Sequence, residues 1–155
     1  MKDIQVNIRK AAIVDLDPLL ILENECFTSD RISRASYRNL LLKPTAEILI
    51  ATYQQKIIGC AVLLFRKQSK KARLYSLAVD QAFRHHGIAI TLSEACEKNV
   101  RKRSCNKIVL EVRPDNQPAI RFYQKQNYVL LEKFPNFYED GSEAFRMVKN
   151  LCQEK

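Results

Sequence analysis

One segment constrains this chain more than any other. Lys71 to Asp80 reads as a strand and runs into a loop that holds a single glycine, Gly87. Beyond it Leu92, Ala95, Cys96 and Val100 recur on one face of a helix. Lys107 to Arg113 then alternates again, with Ile108, Leu110 and Val112 on one side. A strand, helix and strand in that order require a right-handed crossover and leave the two strands locally parallel. All-helical folds and purely antiparallel β folds are thereby excluded.

The flanking pattern fills in the rest. Gln5 to Ala12 reads as a strand, and Asp15 to Phe27 as a helix capped by Asp15. Ser33 to Lys43 is a second helix, capped by Ser33 and stopped by Pro44. Glu47 to Tyr53 and Lys56 to Lys67 form two strands about a Gln54-Gln55 turn. Pro118 to Gln126 is a short helix with proline in its first turn. Tyr128 to Phe134 and Glu143 to Lys149 are the last strands. The expected class is α/β, in its α+β form: a central mixed, mostly antiparallel sheet with helices on both faces. No repeat or Pro/Gly/Ser-rich linker divides the 155 residues, so 1–155 reads as one domain.

The longest apolar run, Ile57 to Phe65, has nine residues, against the roughly 20 that a membrane-spanning helix needs. The opening M-K-D-I-Q-V-N-I-R-K lacks the apolar stretch of a secretion signal, which points to a cytoplasmic protein without a membrane partner. The five cysteines, Cys26, Cys60, Cys96, Cys105 and Cys152, are odd in number and share no C-x-x-C spacing. Free thiols are expected, rather than a disulfide framework or a metal site. A net charge of +9 favours an anionic partner.

The loop after the middle strand, Gln81-Ala82-Phe83-Arg84-His85-His86-Gly87-Ile88-Ala89, opens a helix. A helix start presents unpaired N–H groups and a positive dipole end, and glycine lets a bulky anion approach the backbone. That suits a phosphate or pyrophosphate. Neither G-x-x-x-x-G-K-[ST] nor G-x-G-x-x-G occurs, so a P-loop nucleotidase and a dinucleotide Rossmann site are not indicated.

These residues carry a resemblance. Arg84-His85-His86-Gly87-Ile88-Ala89 is similar to the [Q/R]-x-x-G-x-[G/A] signature of the GCN5-related N-acetyltransferases, the acetyl-CoA-dependent GNAT superfamily. Its setting matches too, with L-Y-S-L-A-V-D before it and L-E-V-R-P-D-N-Q-P-A-I-R-F-Y after it. The later P-N-F-Y-E-D-G-S-E-A-F-R-M resembles the RimI-like branch, which comprises ribosomal-protein-alanine and protein N-terminal acetyltransferases.

The resemblance implies an N-acetyltransferase with acetyl-CoA as co-substrate and no metal. Acetyl-CoA would lie between the strands Lys71–Asp80 and Lys107–Arg113. The main chain of Leu77, Ala78 and Val79 would pair with the pantetheine arm, with Asn116 and Tyr123 beside it. The amides of Arg84, His85, His86, Gly87, Ile88 and Ala89 would hold the pyrophosphate, flanked by Thr91 or Leu92. Ala89 stands where glycine is commoner, and His85 where Arg or Lys is usual. Glu111 would be the general base and Tyr123 the acid that protonates the leaving thiolate, with the Val79 amide donating to the oxyanion. The acceptor would be a protein or peptide amine, a ribosomal one included, bound between Phe27 and Asp30 on one side and Tyr138 on the other.

The residues alone leave other readings open. Glu111 could instead pair with Arg113 or Lys107, and Tyr123 could simply pack in the core. Glu25 and Glu143 are alternative proton acceptors. The acceptor could be a small amine, such as a polyamine, aminoglycoside or amino acid, or a lysine side chain. A cysteine nucleophile is less favoured, because Cys96 falls on an apolar helix face and Cys60 in an apolar strand. The cationic stretch Lys67, Lys70, Lys71, Arg73 and Arg101 to Arg103 raises a nucleic-acid-binding module. It lacks the interleaved aromatics of a stacking platform, so nucleic acid is not the expected partner. Monomer and homodimer are both compatible with the sequence.

Overall fold

The computed structural model describes residues 4–151; Cys152 and the first three residues of the opening segment lie outside them. Seven strands form one sheet in the order β1-β2-β3-β4-β5-β7-β6. They are β1 (Asn7–Lys10), β2 (Ala46–Tyr53), β3 (Lys56–Phe65), β4 (Lys71–Val79), β5 (Lys107–Val112), β6 (Val129–Phe134) and β7 (Ala144–Asn150). The helices are α1 (Leu16–Cys26), α2 (Arg34–Leu42), α3 (Ile88–Lys102) and α4 (Gln117–Lys125). Every neighbouring pair is antiparallel except β4 and β5, which are parallel, as the strand–helix–strand pattern requires.

Both faces of the sheet are covered. Leu16, Leu19 and Leu22 of α1 and Tyr37 of α2 pack on Ile48, Ile50, Cys60 and Val62 of one face. Ile88, Leu92, Cys96 and Val100 of α3 pack on Ala61, Leu74, Ile108 and Leu110 of the other. Gly59 lets α3 lie close to β3, because a β-carbon there would stand 3.0 Å from the Leu92 side chain and 3.2 Å from Ile88. Ser33 caps α2 by accepting from the Ser36 N–H. Asp15 precedes α1 without capping it; its carboxylate takes two bonds from Arg9 and one from the Ala12 N–H. The free thiols of Cys60, Cys96 and Cys105 are buried and that of Cys26 is half-buried.

The feature that positions the site is a fork. β4 and β5 pair only over Lys71↔Lys107, Ala72↔Ile108 and Arg73↔Val109. Beyond Arg73 the register between β4 and β3 slips: Leu63 faces Leu74 while Val62 faces Ser76, which leaves Tyr75 as an extra residue. A bulge bends its strand and increases the local twist. β4 therefore turns away from β5 for the rest of its length.

Candidate active site

The antiparallel ladder decides what the open edge of β4 offers. The Asp80 N–H donates to the Ile58 carbonyl at 2.8 Å, so the pair Gly59↔Val79 is not a hydrogen-bonded one. Pairs of the two kinds alternate along the ladder. The N–H groups of Val79 and Leu77 consequently point away from β3, into the fork. Ala78, expected to share that pairing, gives its main chain to Cys60 of β3 and only borders the gap with its side chain. The Val79 carbonyl accepts from Arg84 Nε at 3.2 Å and from Cys26 Sγ at 3.4 Å. Burial raises the pKa of that thiol, and the Arg84 guanidinium works against it.

The fork opens into a cavity of about 490 Å³. Leu77, Ala78 and Val79 of β4 and Phe122 and Tyr123 of α4 all line it. Arg84, His85, Gly87, Ile88 and Ala89 close one end, and Cys26 and Phe27 border another part. The loop at that end is shaped by two left-handed residues, His85 with φ 70° and Gly87 with φ 76°. Gly87 is also the N-cap of α3, and its carbonyl accepts the first helical bond, from the Thr91 N–H at 3.0 Å. The N–H groups of Ile88, Ala89 and Ile90 precede that bond and are left without helical partners. Turned backbone N–H groups at a helix start make a concave anion seat.

The site fits the expected co-substrate on geometry. A strand edge with outward amides suits an extended arm carrying peptide-like groups, and an anion seat lies at one end of the same cavity. Thr91 does not line it, since its hydroxyl donates back to the Gly87 carbonyl at 3.0 Å. His86 does not line it either, and its Nδ1 is buried without a hydrogen-bond partner among the described residues. Asn116 serves as the N-cap of α4, accepting from the Ala119 N–H at 3.3 Å, and stands outside the cavity lining.

Tyr123 stands in that lining, with its ring edge-on to Tyr128 at 5.4 Å between centroids. Burial raises its hydroxyl pKa above the ordinary tyrosine value, so it holds its proton at any physiological pH. Glu111 is placed differently. Its side chain is 5% exposed and does not line the cavity. One carboxylate oxygen is bonded by Arg73 of β4 at 2.7 Å and the other by Arg146 of β7 at 2.6 Å. Arg113 and Lys107, the partners considered from sequence, do not bond it. Glu25 and Glu143 are exposed and also lie outside the cavity lining.

The acceptor-side residues come together through one side chain that the sequence did not single out. Arg113, just past β5, bonds Asp30 at 2.8 Å and Asp140 at 3.1 Å, and its guanidinium lies 4.2 Å from the centre of the Tyr138 ring. It thereby ties the α1–α2 loop to the β6–β7 loop. Burial pushes the Tyr138 hydroxyl up to about 12, against the pull of Arg113. Hydrogen bonds from Ser142, with help from Arg113, hold Asp140 down at about 2. Phe27 reaches the cavity, whereas Asp30 and Tyr138 stand beyond its lining, at the latch. The α1–α2 loop is fixed from inside by buried Glu23, which accepts from Tyr37 Oη and from the Ile32 N–H, both at 2.8 Å.

Comparison with known proteins adds the following. The acetyltransferase (GNAT) family model matches residues 16–128. An N-alpha-acetyltransferase of Saccharolobus solfataricus is 37% identical over 83 residues, 53% of this chain and 50% of that protein, so the match spans half that relative's length. An uncharacterized N-acetyltransferase of Methanocaldococcus jannaschii is 31% identical over 96% of this chain and 94% of its own length. The crystal structure of Ard1 from Thermoplasma volcanium superposes with a TM-score of 0.87 at 27% identity, covering 97% of this chain and 100% of that one. The ribosomal-protein-S18-alanine N-acetyltransferase of Escherichia coli shares the fold, with a TM-score of 0.85 at 21% identity and 97% of each chain covered.

Proposed function

The chain belongs to the acetyltransferase (GNAT) family, and on that footing we propose that it transfers the acetyl group of acetyl-CoA to the α-amine of a protein or peptide. The observation that carries this reading is the fork, whose outward amides at Leu77 and Val79 belong to the same cavity that Tyr123 lines. Support for a polypeptide acceptor comes from the N-alpha-acetyltransferase relatives and from the likeness to Ard1.

The amides of Leu77 and Val79 hold the arm of the co-substrate as a strand holds its neighbour. Those at the start of α3 seat its pyrophosphate. The Val79 N–H donates to the thioester oxygen as it gains charge. An unprotonated amine attacks the thioester carbon, a C–N bond forms and the C–S bond breaks. Tyr123 gives its proton to the departing thiolate and is restored by the proton that the amine loses. Glu111 takes part in that return only by way of water, since it lies outside the cavity lining. Phe27, Asp30 and Tyr138 flank the acceptor, within the frame that Arg113 holds.

The test is mass spectrometry of peptides with free N-termini incubated with the protein and acetyl-CoA. A 42-Da gain on the α-amine is expected, that being the mass an acetyl group adds (about 42 Da). Acetylation of small amines or lysine side chains alone would overturn the acceptor assignment, and no product from any amine would overturn the activity.

A further inference from the structure

The end of the sheet opposite the anion seat is a dense basic pole. β4 begins there at Lys71, roughly 25 Å from Val79 at about 3.3 Å per residue. Asn106 donates its N–H to the Lys70 carbonyl at 2.8 Å, and Cys105 Sγ lies 3.5 Å from the Ser69 carbonyl. Lys71 and Lys107 sit side by side in the parallel register. The β3–β4 turn, the end of α3 and the start of β5 therefore make one continuous surface.

Its charge is unusually one-sided. Segments 65–73 and 98–110 contain no Asp or Glu. The carboxylates that approach them are already engaged: Glu47 by Arg103 at 2.6 Å, Glu97 by Lys149 at 2.6 Å and Glu111 by Arg73 at 2.7 Å. Arg66, Lys67, Lys70, Lys71, Arg101, Lys102 and Lys107 are exposed and have no ion-pair partner among the described residues. Crowded like charges repel and do nothing for the fold. None of the exposed large apolar side chains lies in either segment.

We propose that this pole binds the phosphate backbone of double-stranded RNA. Lysines act as compact point charges well suited to phosphates. Phe65, the one aromatic in these segments, is half-buried with the Arg103 guanidinium 4.1 Å from its ring centre, so the surface offers no platform for unpaired bases. Without an apolar side chain it offers no anchor in a lipid surface and no apolar centre for a protein interface. Interleaved aromatics serve base stacking, and contact with a phosphate backbone does not need them. The choice of RNA over DNA rests on the acceptor proposed above, since a polypeptide's N-terminus first emerges where RNA is translated.

Fluorescence anisotropy of the full-length protein with a labelled RNA duplex of about 20 base pairs tests this. With about four phosphate contacts, Kd should rise on the order of 100-fold between 50 and 200 mM salt. The variant K67Q/K70Q/R101Q/K102Q should bind at least about 10-fold more weakly with a flatter salt slope, while acetylating free peptides like the parent. No binding at 50 mM salt, or undiminished binding by the variant, overturns the proposal. So does equal or tighter binding to a DNA duplex of the same sequence, to single-stranded RNA, to an acidic peptide or to phosphatidylserine vesicles. Peptide acetylation is read separately, so failure of the acceptor assignment is distinguishable from failure of RNA binding.

Discussion

The Arg73 guanidinium meets the Glu111 carboxylate at 2.7 Å, on the β5 side two residues past the last pair that joins β4 to β5. The bond spans the base of the fork, and Arg146 continues it to β7. The trio braces three strands where the ladder ends. E111Q and R73Q should each cost roughly 1–2 kcal/mol, between the values for exposed and buried pairs. That corresponds to a drop in Tm of about 3–6 °C. The double variant should be no worse than the stronger single one, because both remove the same contact. Loss of turnover in E111Q with unchanged Tm, and a normal R73Q, would instead make proton return, and not the brace, the carboxylate's main contribution.

Tyr123→Phe removes the proton donor and keeps the ring packed against Tyr128. Turnover should fall on the order of 100-fold or more with little change in acetyl-CoA affinity. The pH profile carries a second expectation. An acceptor α-amine loses its proton near pH 8, so the rate should climb through that region. The hydroxyl pKa is raised by burial, so no fall should follow as far as pH 10. A descending limb between pH 8 and 9 would assign the acid to another group.

The Arg113 latch should matter to one substrate only. R113A releases Asp30, Asp140 and the Tyr138 ring together, and R113K restores the charge without the planar fork. Both should raise KM for a peptide acceptor, by about 10-fold for R113A, and leave KM for acetyl-CoA unchanged. Steady-state kinetics with each substrate varied in turn reads the difference. Equal effects on both values would mean that the latch supports the whole cleft.

Gly87 holds φ at 76° at the start of α3. G87A forces a β-carbon into that conformation at a cost of about 1–2 kcal/mol. The loop should re-form with its amides misdirected, so coenzyme A affinity measured by calorimetry should drop about 10-fold or more. Unchanged affinity would show that those amides do not carry the anion.

The Arg9–Asp15 pair supplies a pH signature of the fold. Asp15 is held below its ordinary pKa chiefly by the Arg9 bonds. Its folded pKa is depressed, so its contribution is complete above about pH 4, the unfolded value. It is lost as pH falls through the lower folded value. D15N should therefore be less stable than the parent by about 1 kcal/mol at pH 6, and the difference should shrink steadily as the solution is acidified below about pH 4. A gap that persists in acid would mean the loss is not electrostatic.

Much of this was legible in the residues. Strong periodicity located each of the seven strands and four α-helices to within a few positions, and Ser33 and Pro44 bracket α2 as capping chemistry demands. The place of β7 was not legible. Val129-Leu130-Leu131 is as apolar as Ala144-Phe145, yet the former lies exposed on the edge strand and the latter sits inside, because register and not composition decides which strand of a hairpin docks on β5. Between Leu77 and Ala89 every cavity-lining residue but Phe83 was among those the resemblance implied, and His86, also implied, stays outside the lining. Arg73, Arg113 and Arg146 were not implied, for their partners lie 38, 83 and 35 positions away in the chain. An isolated arginine carries no local sign of a partner so distant.

Tyr75 gives the fold its last consequence. A single additional residue there leaves two main-chain donors facing the gap between β4 and β5. A ligand entering that gap need not first strip one strand from another, so association should proceed without a slow opening phase. Excising that residue would restore even spacing, let the neighbouring ribbons zip together and erase the slot, while every side chain in it remained present.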